Sequence, residues 1–257
     1  MITYLKKIGL SLANPSPIRA KHFVFRSILR APIIFDILNI SIQYFGQRRF
    51  EQYKKLKSID AYHQQVLEYN IAVPKSKKFI SSRRPEEIYD LLTTFSGKST
   101  IQENKILIIG ARSLHELFIA WLYGYSWKNI HGADLFSCHP KITETNMEDL
   151  CFEPSSFDCI AMSATLSYAK DVFKALEECT RVLRLNGRLC FQATYDPGNI
   201  QWHGDKVDGS AISEFCRDNL KLEENCHFKR TKINSAGRQQ IEHYFLFSRT
   251  GSSVQDQ

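Results

Sequence analysis

The stretch SFDCIAMSATLSYAKDVFKALEECTRVLRLNGRLCFQA, residues 156–193, decides the fold of this chain. Its first apolar run, Phe157–Met162, is typical of a strand that is buried on both faces. Apolar residues then recur at helical spacing over residues 172–183. The sequence Leu185-Asn186-Gly187 predicts a stop for that helix, and residues 188–193 predict a second strand. A strand, a helix and a strand in this order predict a right-handed crossover in a parallel sheet.

Five more runs of strand length surround this unit. They cover residues 105–110, 129–134, 142–145, 226–233 and 240–249. Helical periodicity predicts helices over residues 61–73, 82–97 and 113–123, and a further one within residues 208–220. The helix at 82–97 has acidic residues in its first turn, where the helix dipole favours them. The chain therefore predicts seven strands alternating mainly with helices, which indicates an α/β protein.

The central stretch resembles S-adenosylmethionine-dependent methyltransferases of class I, in the large type 11 branch typified by the quinone-biosynthesis enzymes. The shared pattern is SFD, a strand, D-x-x-x-A-L-x-E-x-x-R-V-L, and then N-G, although RVLRLNG stands where the family usually has R-V-L-K-P-G-G. The matching positions are Asp171, Ala175, Leu176, Glu178, Arg181, Val182, Leu183 and Gly187. The resemblance implies a Rossmann-like, seven-stranded, mostly parallel sheet with helices on both faces and an antiparallel last strand. It also implies methyl transfer, with S-adenosylmethionine as the cofactor.

The N-terminal part differs from the rest of the chain in charge. Residues 1–60 hold 11 basic and 3 acidic residues, a net charge of +8, whereas the remaining 23 basic and 24 acidic residues give −1 of the total +7. We expect a basic, partly apolar helical extension over residues 1–80, a methyltransferase domain over 81–250 and a disordered tail over 251–257. A nearly neutral domain argues against a nucleic-acid substrate.

One segment of this extension leaves two interpretations open. Residues 33–45 predict a helix that is apolar on nearly all sides, and basic residues flank it. It is too short to cross a bilayer. It either lies in the plane of an anionic membrane surface or packs on the catalytic domain or on a second copy in a homodimer. The seven cysteines have no metal-ligand spacing and fit reduced side chains of a cytoplasmic protein; no metal site is predicted.

In an open α/β sheet the ligand lies beyond the carboxyl ends of the strands. Asp134 ends the second strand, and a carboxylate there accepts hydrogen bonds from both ribose hydroxyls of an adenosine. By the resemblance, TNMEDLCF at residues 145–152 lies along the adenine, with Asn146 where the family has an acid. The implied cofactor-binding residues in these loops are Gly110, Ala111, Asp134, Leu135, Asn146, Met147, Glu148, Ser163 and Ala164.

The first loop departs from the family. The sequence IIGARSLHE, residues 108–116, keeps Gly110 but lacks the other glycines of D/E-x-G-x-G-x-G. It resembles a G-P-R-x-x-x-E variant of related bacterial sequences, often associated with surface polysaccharides. By that resemblance Arg112 binds the cofactor's carboxylate and Glu116 its ammonium group. The alternative interpretation, which the sequence favours equally, is that Arg112 lies on the surface without a ligand. The single glycine also counts against a nicotinamide-dependent dehydrogenase, which needs the motif G-x-G-x-x-G.

The acceptor side is expected to be formed by the loops after the fourth and fifth strands. Tyr168, Tyr195 and His203 are the candidate catalytic residues there. The acceptor is expected to be an oxygen or nitrogen atom of a small molecule or of a glycan- or lipid-linked group. A different hypothesis is a non-catalytic binding or scaffold protein whose glycine-poor loop no longer holds the cofactor.

Overall fold

A computed structural model describes residues 60–72, 84–95, 101–111, 114–137, 139–199, 202–233 and 237–250. The predicted helix at 33–45, most of the basic extension, the tail at 251–257 and Arg112 lie outside these residues. In the described part of the chain no helix is both long and apolar enough to span a bilayer.

One seven-stranded sheet organises the described residues. Its strands are β1 (Ile106–Ile109), β2 (Ile130–Asp134), β3 (Ile142–Glu144), β4 (Phe157–Met162), β5 (Leu183–Tyr195), β6 (Glu223–Ile233) and β7 (Gln239–Ser248). Their order across the sheet is β3-β2-β1-β4-β5-β7-β6. Strands β1 to β5 pair in parallel, and β7 runs antiparallel to both of its neighbours. The predicted fold class, with its antiparallel last strand, is confirmed.

Helices cover both faces of this sheet. They are α1 (Ala61–Ala72), α2 (Arg84–Phe95), α3 (Leu114–Leu122), α4 (Val172–Val182) and α5 (Gly209–Asp218). One buried cluster joins α2 and α3 to one face of the sheet, and another joins α4 and α5 to the opposite face. Three cysteines of the central strands and α4 were predicted to be buried. They are at most 1% exposed: Cys159, Cys179 and Cys190. Burial raises the pKa of the Cys159 thiol to about 11.

The prediction for the start of β5 was wrong. The helix α4 ends at Val182, and β5 begins with the next residue rather than at Arg188. Phe157 pairs with Leu183 and Cys159 with Arg188, so that the segment predicted as a stop signal is a bulge within the ladder. Asn186 takes the left-handed conformation there, with φ of 63°. Bulges of this kind add residues to one strand without ending the pairing.

A histidine at the amino-terminal edge of the sheet makes the stability dependent on pH. Burial, together with the nearby charges of Lys105 and Lys141, lowers the pKa of His131 from 6.5 to about 4. The unfolded chain therefore takes up this proton at a higher pH than the folded chain. The stability that neutral His131 provides is fully present above pH 6.5 and is lost as the pH falls from 6.5 to about 4.

We expect this group to lower the free energy of unfolding by about 1–2 kcal/mol between pH 7 and pH 4, after a discount for its partial exposure. Urea unfolding at a series of pH values measures the loss. The variant His131→Gln should lose less stability than the wild type over that range. Equal losses in the two proteins would assign the acid sensitivity to other groups, such as His227 and His243, whose pKa values burial also lowers.

Candidate cofactor site

A cavity lies at the carboxyl ends of β1, β2 and β3, where the topology predicts a ligand. Of the residues predicted to bind the cofactor or acceptor, it brings together Gly110, Asp134, Leu135, Met147 and Tyr168. The other residues that line it are Val66, Ile109, Thr145 and Thr165.

Gly110 allows two of the loops at this edge to touch. It has a φ of +80°, and a Cβ atom added to it would lie 2.0 Å from Thr165 Oγ1. The Thr165 hydroxyl in turn donates to the backbone carbonyl of Ile109 at 3.2 Å. Only glycine satisfies both the backbone conformation and this close approach. The contact between the two loops therefore explains why this position of the first loop is a glycine, although the family's other glycines are missing.

Asp134 occupies the position that the sequence predicts. It ends β2 and is 8% exposed, and its Oδ1 accepts a hydrogen bond from the backbone N–H of Phe136 at 3.3 Å. A carboxylate at a strand end, facing a cavity, has lone pairs suited to the vicinal hydroxyls of a ribose.

The loop after β3 presents an apolar side chain to the cavity. Met147 is buried and lines it, whereas Asn146 makes a local turn in which its Oδ1 accepts from the backbone N–H of Glu148 at 3.0 Å. Leu150 is buried, and the ring of Phe152 packs edge-on against Phe157 at 5.1 Å. The loop therefore has an apolar base that holds Met147 at the cavity.

Two charged residues of α4 attach this loop to the domain. The backbone N–H of Leu150 donates to Glu178 at 2.8 Å, and Arg181 donates to the carbonyls of Leu150 and Phe152 at 2.7 and 2.8 Å. Glu178 and Arg181 also form an ion pair at 2.7 Å, and these hydrogen bonds and this pair lower the pKa of Glu178. The E-x-x-R part of the sequence pattern thus positions the loop that carries Met147.

Glu148, which the resemblance implies as a cofactor-binding residue, makes hydrogen bonds to the protein backbone. Its Oε1 accepts from the backbone N–H groups of Lys170 and Asp171, just before α4. Asp171 itself caps that helix by accepting from Phe173 and Lys174. The carboxylate of Glu148 therefore ties the loop after β3 to the start of α4, and a role for it in binding the cofactor stays a prediction.

The remaining predicted residues that the structure describes are not part of the cavity lining. Ala111 is fully buried, and a Cβ added to Gly132 would approach it at 3.1 Å. Ser163 and Ala164 are half-buried in the loop after β4, Glu116 is half-buried on α3, Tyr195 is half-buried at the end of β5 and His203 is exposed. Their roles stay predictions.

Helix α1, from the part of the chain predicted to be an extension, lies against the cavity. Val66 is 1% exposed and belongs to the lining. The Tyr62 hydroxyl donates to the carbonyl of Ala169 at 3.4 Å and accepts from the backbone N–H of His203 at 3.3 Å, with the Tyr62 and His203 rings stacked at 4.4 Å. Burial raises the pKa of Tyr62, so this hydroxyl stays protonated at neutral pH.

The sequence analysis did not single out several buried residues that follow β5, on the side where the acceptor is expected. Trp202 is 6% exposed and packs edge-on against Tyr168 at 4.8 Å. Asp196 and Asp205 are also buried; Asp196 pairs with Arg238 at 3.3 Å, and Asp205 accepts from Asn199 at 2.7 Å. An acid directly after the fifth strand was a usable signal for Asp196, because the carboxyl ends of parallel strands border the ligand.

Comparisons with known proteins agree with this geometry. Residues 123–191 match the methyltransferase domain family. A Galdieria sulphuraria protein, provisionally named a sarcosine dimethylglycine methyltransferase, is 15% identical over 68% of this chain and 88% of its own, with a TM-score of 0.52. The chain has the class I methyltransferase fold. The partial family match and the fold agree with the predicted methyltransferase that uses S-adenosylmethionine.

Two further solved structures are similar. A Bacillus halodurans protein, provisionally named a methyltransferase, is 11% identical over 65% of this chain and all of its own, with a TM-score of 0.50. An S-adenosylmethionine-dependent methyltransferase from Methanosarcina mazei is 15% identical over 62% of this chain and 97% of its own, with a TM-score of 0.49. No curated protein sequence matches the chain.

The residues at the cavity suit the cofactor of this methyltransferase fold. Gly110 lets the loops after β1 and β4 approach each other, Asp134 would offer acceptors to a ribose, and Met147 would offer an apolar surface to an adenine. Of the three candidate catalytic residues, only Tyr168 belongs to this lining.

Proposed function

We propose that the protein transfers a methyl group from S-adenosylmethionine to an oxygen or nitrogen atom of a small-molecule, glycan-linked or lipid-linked acceptor. The observation that carries this proposal is the buried carboxylate of Asp134 at the end of β2, facing a cavity that Met147 also lines. Sugar hydroxyls of a bacterial surface polysaccharide are our first candidate for the acceptor, on the resemblance of the GARSLHE loop. A quinone or lipid precursor is second.

The chain's residues have a limited chemical task in this reaction. The cofactor supplies an activated methyl group on a sulfonium centre. Side chains on the acceptor side, among which we propose Tyr168, Tyr195 and His203, would hold the acceptor's lone pair in line with that methyl carbon. The bound cofactor would supply the methyl group and, as its carbon–sulfur bond breaks, a neutral thioether as leaving group. A hydroxyl acceptor also loses its proton to a base, whereas a neutral amine attacks without one.

Binding of the demethylated cofactor S-adenosylhomocysteine tests the proposal directly. Calorimetry should give saturable 1:1 binding to the wild type. Asp134→Ala should weaken it by about 1.5–3 kcal/mol, because hydrogen bonds to a charged group are lost. Glu177→Ala, which removes an exposed acid on α4, serves as the control and should bind like the wild type.

Two outcomes would reject the proposal. No binding by the wild type would favour a scaffold protein on a methyltransferase fold. If the cofactor binds, the wild type is incubated with labelled S-adenosylmethionine and polysaccharide, lipid and small-molecule extracts of its host. Label in none of these fractions would reject transfer to these acceptors, and label in the lipid fraction alone would reject the polysaccharide.

We also propose that the protein is cytoplasmic and that its N-terminal extension attaches it to an anionic membrane surface. The support is the apolar run at 33–45 beside basic residues, in a segment of net charge +8. In a flotation assay with anionic vesicles at low salt, the full chain should float with the lipid and a chain without residues 1–57 should not. If neither floats, packing on the domain or a homodimer is the better explanation of this segment.

A further inference from the structure

A group of polar side chains lies buried between the carboxyl end of β5 and helix α2. Gln192 and Thr194 lie on the same face of the sheet as Cys190, because alternate residues of a strand share a face. That face packs against α2, since the Cys190 thiol donates to the backbone carbonyl of Ile88 at 3.6 Å. Gln192 is fully buried there, where a polar side chain is costly unless all its polar atoms are paired.

The charges next to Gln192 are already balanced by one another. Glu242 is fully buried, and its carboxylate pairs with Lys232 at 2.6 Å. Glu87, in the first turn of α2, pairs with Arg230 at 2.6 Å. These two acids therefore have two basic partners, and the four side chains are neutral as a set.

One atom of the group has no partner within the part of the chain that the structure describes. The Gln192 amide donates through Nε2 to Thr194 Oγ1 at 2.9 Å, whereas its Oε1 is buried and accepts no hydrogen bond. Tyr244, which lies opposite Gln192 in the ladder, donates its hydroxyl to Glu242 at 3.1 Å instead. An amide oxygen can only accept, so a ligand that satisfies it must bring an O–H or N–H donor.

The loop after β4 lies between this amide and the cofactor cavity. Met162 and Phe191 are the last residues that pair between β4 and β5, so the register places Gln192 next to Ser163, the first residue of the loop. Thr165, two residues further, lines the cavity. In the sheet β4 lies between β1, whose carboxyl end borders the cavity, and β5. The loop therefore has the cavity on one side and the Gln192 amide on the other.

We propose that Gln192 binds a neutral hydroxyl group of the methyl acceptor, whose O–H donates to Gln192 Oε1. The inference rests on the proposed function and narrows its acceptor to a hydroxyl-bearing molecule. Because the neighbouring charges are balanced, a neutral hydroxyl suits the group better than an ammonium ion, which would need a carboxylate of its own. The hydrogen bond fixes the orientation of the acceptor beside the loop that separates it from the cofactor.

Methyl transfer and cofactor binding by a leucine variant separate this role from a structural one. Gln192→Leu removes the amide at similar size and should bind S-adenosylhomocysteine like the wild type, because Gln192 is not part of the cavity lining. Its rate of label transfer from S-adenosylmethionine to the host extract that the wild type labels, with the extract limiting, should fall about 10-fold or more. Gln239→Leu, the same change at an exposed residue of β7, is the control and should transfer like the wild type.

Two further variants at the same position sharpen the test. Gln192→Met also lacks the amide, and its flexible side chain repeats the measurement if leucine disturbs the packing. Gln192→Glu keeps an acceptor oxygen but adds a charge, and should raise the amount of extract that gives half of the maximal rate. A lower amount would overturn the inference, because it would identify the bound group as a cation.

The outcomes distinguish this inference from the proposed function. If the wild type labels an extract and Gln192→Leu labels it equally fast, the inference is wrong while the proposed function stands. A higher free energy of unfolding in that variant would then assign to Gln192 only a buried water. Loss of S-adenosylhomocysteine binding by Gln192→Leu and Gln192→Met would also overturn it, since the residue would then support the fold of the site. A wild type that labels no extract would reject the proposed acceptors and this inference together.

Discussion

Gly110→Ala should lower the free energy of unfolding by about 3–4 kcal/mol and abolish measurable cofactor binding. The backbone at this residue has a φ of +80°, which costs an alanine about 1 kcal/mol or more. Its Cβ would also lie 2.0 Å from Thr165 Oγ1 and 2.6 Å from its Cγ2, and such overpacking typically costs about 1–3 kcal/mol. The loops after β1 and β4 would have to separate, and both of them border the cavity.

Two further variants divide this cost into its parts. Gly237 also has a positive φ, of 75°, but a Cβ added there meets nothing within 4 Å. Gly237→Ala therefore measures the conformational strain alone, and urea unfolding should give a loss of about 1 kcal/mol. In the double variant Gly110→Ala, Thr165→Ala, part of the clash is removed. Strictly additive losses in that cycle would contradict the steric explanation.

Much of the fold could be predicted because the sheet is buried on both faces. Strand β4 begins and ends where its apolar run does, and the predicted bounds of α1, α2 and α3 lie within two residues of those observed. The start of β5 could not be predicted in this way. Asn186 and Gly187 carry the composition of a turn, and whether such a segment ends a strand or bulges within it depends on the partner strand.

The site was predictable where it follows from topology alone. Asp134 is the last residue of a strand next to the point where strand order reverses, so its position at the cavity follows from the strand assignment. Val66 and Thr165 could not be found by such an argument. Val66 comes from a helix more than 40 residues before the first loop, and Thr165 is identified only by its contact with Gly110.

The same limit applies to charged residues in the central pattern. Glu148 lies in the loop expected along the adenine, and only the structure reveals that its carboxylate binds the backbone before α4. Glu178 and Arg181 matched the family pattern, yet the spacing did not indicate what they contact. Hydrogen bonds between a side chain and a distant backbone group produce no recognisable sequence pattern, because any residue can supply the backbone N–H or C=O.

Arg181→Ala should destabilise the protein by about 3–4 kcal/mol and weaken cofactor binding about 10-fold. The guanidinium donates to the carbonyls of Leu150 and Phe152 and pairs with Glu178. Each hydrogen bond of this charged group contributes about 1.5 kcal/mol, the low end of the usual range, because the side chain is partly exposed. Alanine would also remove the ion-pair partner of Glu178. The loop would then hold Met147 less firmly, and ordering it on binding would cost affinity.

Chemical unfolding and calorimetry on three variants decide whether the loop contacts are responsible. Arg184→Ala removes a comparable arginine whose side chain is 47% exposed and which pairs with Asp158 at 2.9 Å, away from the loop. It should cost about 1 kcal/mol and leave cofactor affinity unchanged. Arg181→Lys keeps the positive charge but lacks the several N–H donors of the planar guanidinium. Relative to Arg181→Ala, it should recover more of the stability than of the cofactor affinity. If Arg181→Ala lost stability but bound the cofactor normally, the loop would owe its position at the cavity to Glu148 and its apolar base instead.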